Sequence, residues 1–148
     1  MGWNGTILQA AGVAVNTVTY NTLISACERG GSWREAEQLY RDMVHTGVAP
    51  DTITLNALIS AYGRGRQWLA ALELFDSLER HPNLTPDAIT YNSLIAACAR
   101  GKRWQLALQM YQRMEARGLC ATIVTYNTLI TACGRGGQVS KQYIPARM

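Results

Sequence analysis

Charge is scarce in this 148-residue chain: Asp, Glu, Lys and Arg together make up 16% of it, against roughly 25% in a typical soluble domain. With 48% hydrophobic residues beside it, that scarcity excludes intrinsic disorder, which needs the opposite balance. No apolar run approaches the ~20 residues of a membrane-spanning helix. The opening MGWNGTILQA lacks the basic start of a secretion signal and the Arg/Ser richness of a transit peptide. The four cysteines, Cys27, Cys98, Cys120 and Cys133, contain no C-x-x-C pair. The two histidines, His45 and His81, form no metal-ligand spacing with them, so neither a metal site nor a cofactor is expected. G-x-S-x-G, Walker and G-x-G-x-x-G motifs are missing, as is an acidic cluster for metal-dependent cleavage, and the chain does not read as an enzyme. Fourteen Lys and Arg against ten Asp and Glu leave a formal charge of +4, a mild lean toward an anionic partner.

What the sequence has is a repeat. TVTYNTLISAC begins at Thr17, TITLNALISAY at Thr52, AITYNSLIAAC at Ala88 and IVTYNTLITAC at Ile123, with starts 35, 36 and 35 residues apart. The units run 17–51, 52–87 and 88–122, and residues 123–148 form an incomplete fourth. The extra residue of the second unit falls in Arg80–Leu84. Gly12-Val13-Ala14-Val15-Asn16 matches Gly47-Val48-Ala49-Pro50-Asp51, so residues 1–16 read as part of a preceding unit. Periods of this length signal stacked architectures.

Each unit reads as two helices. Apolar residues fall at unit positions 4, 7, 8 and 11, as in Tyr20, Leu23, Ile24 and Cys27, which is helical spacing. The run stops at Gly30, Gly65, Gly101 and Gly136, suited to a helix C-cap. A second helix opens on Trp33, Trp68 or Trp104, a packing ladder at helix starts, and continues through Ala36, Leu39, Tyr40 and Met43 or their equivalents. Gly47 and Gly118 break it. Alanines at positions 10 and 20 allow close helix approach. A lone helical hairpin cannot bury both faces, so neighbours must stack. Cys27, Cys98 and Cys133 share position 11 and read as buried packing residues, whereas Cys120 falls in an inter-unit loop. His45 and His81 read as solvated surface.

V-T-Y-N-T-L-I…G…W…A-L…M…G…P-D at a 35-residue period resembles the pentatricopeptide repeat family over residues 5–139. The W-x2-L-G-x2-Y opening of the tetratricopeptide repeat is absent. The resemblance implies an all-α, right-handed α-α superhelical solenoid whose first helices line the concave face. It also implies sequence-specific binding of single-stranded RNA, one base per repeat, with the N-terminus toward the 5′ end. By the family's pattern, positions 5 and 35 contact the Watson–Crick edge of one base. Position 5 is Asn21, Asn56, Asn92 and Asn127; position 35 is Asp51, Asp87 and Thr122, with Asn16 closing the preceding partial unit. The Asn–Asp combinations imply uracil at units one and two, and Asn92–Thr122 a pyrimidine lean. The position-35 partner of Asn127 lies beyond the sequence, so its base stays open. At position 2, Val18, Ile53, Ile89 and Val124 would wedge between bases. From the residues alone they read equally as packing residues of the helix start.

Arg29, Arg64, Arg100 and Arg135 share position 13 at the first-helix end, and Arg66, Lys102 and Arg103 join them in the turns. Half of the fourteen basic residues thus lie in these turns, with no acid among them. Stacking would align them as a phosphate-binding stripe; cations there also complement the helix dipole. The expected function is RNA binding in organellar RNA processing, stability or translation. Family membership implies a mitochondrion or chloroplast, and no membrane partner is expected. The alternatives are a protein-interaction scaffold or the targeting module of a longer protein. Val139 stands where Trp belongs and Pro145 where a core residue belongs, so the chain reads as part of a longer array.

Overall fold

Seven helices of 13 residues each follow one another in the computed structural model, which describes Gly12 and residues 15–135. They are α1 (Thr17–Arg29), α2 (Trp33–His45), α3 (Thr52–Arg64), α4 (Trp68–Arg80), α5 (Ala88–Arg100), α6 (Trp104–Ala116) and α7 (Ile123–Arg135). Among the described residues no strand occurs, and no helix is long and apolar enough to cross a membrane. Most of residues 1–16, together with Gly136, Val139 and Pro145, lies outside the described residues.

The uniform length follows from the repeated stop signal. After α1 the N–H of Gly31 donates to Glu28 O (3.2 Å) and that of Ser32 to Cys27 O (2.9 Å), a Schellman ending. The same pair recurs at Arg66 and Gln67 after α3, and at Lys102 and Arg103 after α5. The left-handed residue of this turn is position 15, not the shared glycine before it: φ is +78° at Gly31 and +60° at Arg66 and Lys102. Gly30, Gly65 and Gly101 are the C-caps, but their φ values of −79°, −85° and −80° suit any residue. What requires glycine at Gly65 is space. A methyl group added there would lie 2.1 Å from Cδ1 of Trp33, and one at Gly101 2.4 Å from Cδ1 of Trp68. Trp33 and Trp68 at their second-helix starts are therefore each seated on the first-helix end of the next unit.

α1, α3, α5 and α7 pack side by side in one layer. α2, α4 and α6 each pack on their own first helix and on the next one. Their backbones stay farther apart from one another, and α4 and α6 meet through long side chains: Arg113 pairs with Glu79, and its guanidinium lies 5.0 Å from the centroid of the Phe75 ring. Close approach on one side only makes each hairpin a wedge, so the stack curves around the first-helix side. The approach is tight enough that a methyl group on Gly63 would lie 3.2 Å from Cβ of Ala97. The third unit shows the core pattern in full: Tyr91, Leu94, Ile95 and Cys98 are completely buried, as are Ala107 and Met114 on α6. Leu55, Leu58, Ile59 and Tyr62 are buried at the matching positions of α3. The chain is an all-α helical repeat solenoid, with its core running between the layers.

The chemically conspicuous residues fall into this frame. Cys98 and Cys133 are buried, Cys27 is half-buried and Cys120 exposed. Burial pushes the Cys98 thiol up to about 11, far from a reactive thiolate. His45 and His81 are exposed on the surface.

These observations separate glycines that look alike. Gly65→Ala should destabilise the fold by about 1–3 kcal/mol through overpacking against Trp33. Gly30→Ala, with no such neighbour, should be neutral or stabilise by up to about 1 kcal/mol. Arg66→Gly should stabilise by about 1 kcal/mol by relieving the left-handed backbone. Urea unfolding of the three variants checks all three signs.

Candidate functional site

The exposed side of the first-helix layer is one continuous shallow groove. Its first stretch is lined by Val18, Asn21, Thr22, Ser25 and Arg29 of α1 with Asp51 and Ile53. The second joins Glu28 and Arg29 to Ile53, Asn56 and Ser60 of α3 and to Ile89 and Ser93 of α5. The third holds Arg64, Ile89, Asn92, Ala96 and Arg100, and the last Arg100 with Asn127, Thr128 and Thr131 of α7. Shared residues link successive stretches. Helical spacing explains the grouping: positions 2, 5, 6, 9 and 13 lie on the face opposite the core positions 4, 7, 8 and 11.

The structure thus brings the position-2 aliphatics, the asparagines and the position-13 arginines onto one surface. Val18, Ile53, Ile89 and Val124 are 71%, 62%, 62% and 66% exposed, so they do not pack the helix start. Four large aliphatic side chains held in water at a constant interval make a row of apolar contacts beside a polar row. Arg29, Arg64 and Arg100 are exposed at the groove edge; the side chain of Arg135 lies outside the described residues. Arg66 and Lys102 are exposed in the turns, and the Arg103 guanidinium sits 4.8 Å from the centroid of the Trp68 ring.

Positions 5 and 35 are bonded to each other. Asp51 is the N-cap of α3, accepting from the N–H of Thr54 (3.0 Å), and the side-chain amide of Asn21 donates to the same carboxylate oxygen (3.0 Å). Asp87 caps α5 and receives Asn56 in the same way (3.1 Å). A threonine completes each junction. Thr54 accepts from the N–H of Asp51 and donates to Oδ1 of Asn21. Thr90 does the same for Asp87 and Asn56, the latter at 2.5 Å. Thr54, Thr90 and Thr125 are the buried polar residues among those described. They were not singled out in the sequence, although Thr recurs at position 3 of all four units and forms a cap-and-return pair with position 35.

The third junction differs. Thr125 still donates to Oδ1 of Asn92 (2.5 Å), but Thr122 replaces the aspartate. Its hydroxyl takes the Thr125 N–H at 3.4 Å, and among the described residues the Asn92 amide nitrogen has no protein partner. Asn127 is exposed beyond it. At the other end, Asn16 caps α1 by accepting from the N–H of Thr19 at 3.0 Å.

Burial pushes the Asp51 and Asp87 carboxyls up, but hydrogen bonding outweighs it. Asp51 accepts from the Thr54 N–H, the Asn21 amide, the Thr54 hydroxyl and the Ile53 N–H, and its pKa is held below the ordinary carboxylate range. Asp87 is held down likewise by the Thr90 N–H and hydroxyl, the Asn56 amide and the Ile89 N–H. Both are carboxylates at neutral pH and can only accept. Among the described residues no three His, Cys, Asp or Glu side chains converge on a metal-sized site.

A depressed folded pKa stabilises the fold above the unfolded carboxylate value, and that contribution is lost as pH falls through the folded one. Unfolding between about pH 2 and 6 should therefore show an acid-side loss that Asp51→Asn and Asp87→Asn each reduce. Thr90→Val should cost about 1–3 kcal/mol by stranding the Asp87 N–H and the Asn56 oxygen. Thr22→Val on the exposed groove should change stability by less than about 0.5 kcal/mol.

The PPR repeat family model matches residues 15–63, 50–100 and 86–135. Among solved structures, the pentatricopeptide repeat protein PPR10 in complex with an 18-nt psaJ RNA element is 32% identical with a TM-score of 0.76, over 84% of this chain and 18% of that one. PPR10 from maize is 34% identical with a TM-score of 0.69, over 90% of this chain and 19% of that one. Nuclear proteinaceous RNase P 2 from A. thaliana shares the fold at 13% identity and a TM-score of 0.76, over 93% of this chain and 32% of that one. The chain thus spans less than a third of each of these proteins. No curated protein matches it. With three overlapping matches that together run from Val15 to Arg135, the chain belongs to the PPR repeat family.

Proposed function

We propose that the first-helix groove binds single-stranded RNA, one base per unit, with uracil favoured at units one and two. The observation that carries this reading is the Asn–Asp pair held at each of the first two junctions beside an exposed aliphatic residue. Each asparagine commits its oxygen and one N–H to the network and keeps a second N–H for a ligand. The ionised aspartate beside it accepts only. Uracil fits that pair, because its N3–H donates and its carbonyls accept; cytosine presents an unprotonated N3 to the carboxylate instead. At unit three the Thr122 hydroxyl either donates or accepts, which relaxes the choice to a pyrimidine. The position-2 side chains supply the apolar surface against which base faces rest. RNA binding by PPR10, which is 32% identical, supports the same reading.

Stacking is worth about 1–3 kcal/mol per base, so three whole units should bind weakly and lose affinity as salt rises. Fluorescence anisotropy at low salt should show oligo-U binding more tightly than oligo-A; equal affinity would sink the base-reading claim. Asn56→Thr with Asp87 kept should shift its position from U toward G, the base the family pairs with Thr–Asp. Protein that copurifies with a protein partner and no nucleic acid would favour the scaffold reading. We also infer an organellar role in RNA processing, stability or translation. Fractionation with an antibody to the native protein should place it in mitochondria or chloroplasts, and a cytosolic signal would overturn that.

A further inference from the structure

The groove does not offer its arginines equally. Arg64 Nε lies 2.8 Å from Oε1 of Glu28 on the preceding first helix, and the Ser60 hydroxyl donates to the same oxygen at 2.9 Å. Glu28 is largely buried in this setting while Arg64 is half-exposed, so the carboxylate is the fixed partner. Glu28 occupies unit position 12, directly before the turns that read as free of acid; the matching residues are Gly63, Ala99 and Gly134. One unit further along, Arg100 meets Gly63 where Arg64 meets Glu28: a methyl group on Gly63 would lie 3.5 Å from Nη1 of Arg100. Among the described residues no carboxylate pairs with Arg100.

Resting on the RNA-binding reading above, we propose that Glu28 is an internal competitor for phosphate. It neutralises Arg64, so the junction of units one and two contributes base reading without a backbone contact, while Arg100 at the next junction is open to a phosphate. A phosphate approaching Arg64 must displace a carboxylate already bonded to it and to Ser60, and meets that carboxylate's repulsion. Glu28 thereby tunes the affinity and salt dependence of the groove by closing one of its arginines, Arg64, to phosphate.

The test is a salt titration of binding to a 12-nt oligo-U with wild type, Glu28→Gln, Glu28→Gly and the double variant Glu28→Gln/Arg64→Gln. Gln keeps an acceptor for Ser60, Gly copies Gly63, and thermal unfolding verifies that each variant is folded. Releasing Arg64 should tighten binding by about three- to fivefold at low salt. It should also steepen the slope of log K against log salt by about 0.7, the value of one extra phosphate on a single strand. The double variant should return to the wild-type slope. Wild-type binding with an unchanged slope in both Glu28 variants overturns the inference alone, as does a double variant that keeps the steeper slope. Absence of RNA binding by wild type and Glu28→Gln alike overturns the RNA reading and this inference with it.

Discussion

The first two junctions of the stack each depend on one side chain doing two jobs. Asp51 and Asp87 end one unit in sequence, yet each caps the first helix of the next and receives the asparagine of the unit it closes. Removing that aspartate therefore loosens a helix start, an inter-unit contact and the groove surface together. The buried threonines make the arrangement rigid: a hydroxyl that both accepts from the cap and donates to the asparagine leaves one rotamer for each partner. A polar pair that is already bonded would need little reordering on meeting a ligand.

The same economy appears in how the hairpins meet. Trp33 and Trp68 each sit on a glycine of the next unit, and α3 and α5 approach across Gly63 and Ala97. The closer backbone approach of the first helices gives the wedge, and the wedge turns positions 2, 5 and 13 toward a common surface. The exposed aliphatics of that surface cost solubility without helping the fold, which sets them apart from the core.

Much of this was legible in the sequence. The 35-residue period, the apolar spacing of Tyr20, Leu23 and Ile24, and the two-helix unit are local patterns, and local patterns survive in a linear reading. So were the groove residues Asn21, Asn56 and Asn92, because one register fixes one helix face. Three features were not legible. The glycines at Gly65 and Gly101 read as turn residues, whereas packing space explains them. Thr54 and Thr90 carry no mark in the linear pattern, whereas they are the buried polar centres of the first two junctions. Arg64 reads like Arg100, whereas an acid 36 residues earlier in the chain claims it.

The sequence by itself determined the elements: where helices start and stop, which positions are apolar, and that the units must stack because one hairpin leaves a face uncovered. Only the tertiary structure decided which side chains meet across a junction. Asn21 reaches Asp51 over 30 residues and Arg64 reaches Glu28 over 36. Hydrophobic periodicity carries no information about such pairs. Its signal is the environment of one residue on one helix, whereas a hydrogen bond or ion pair between units depends on the distance at which two helices pack.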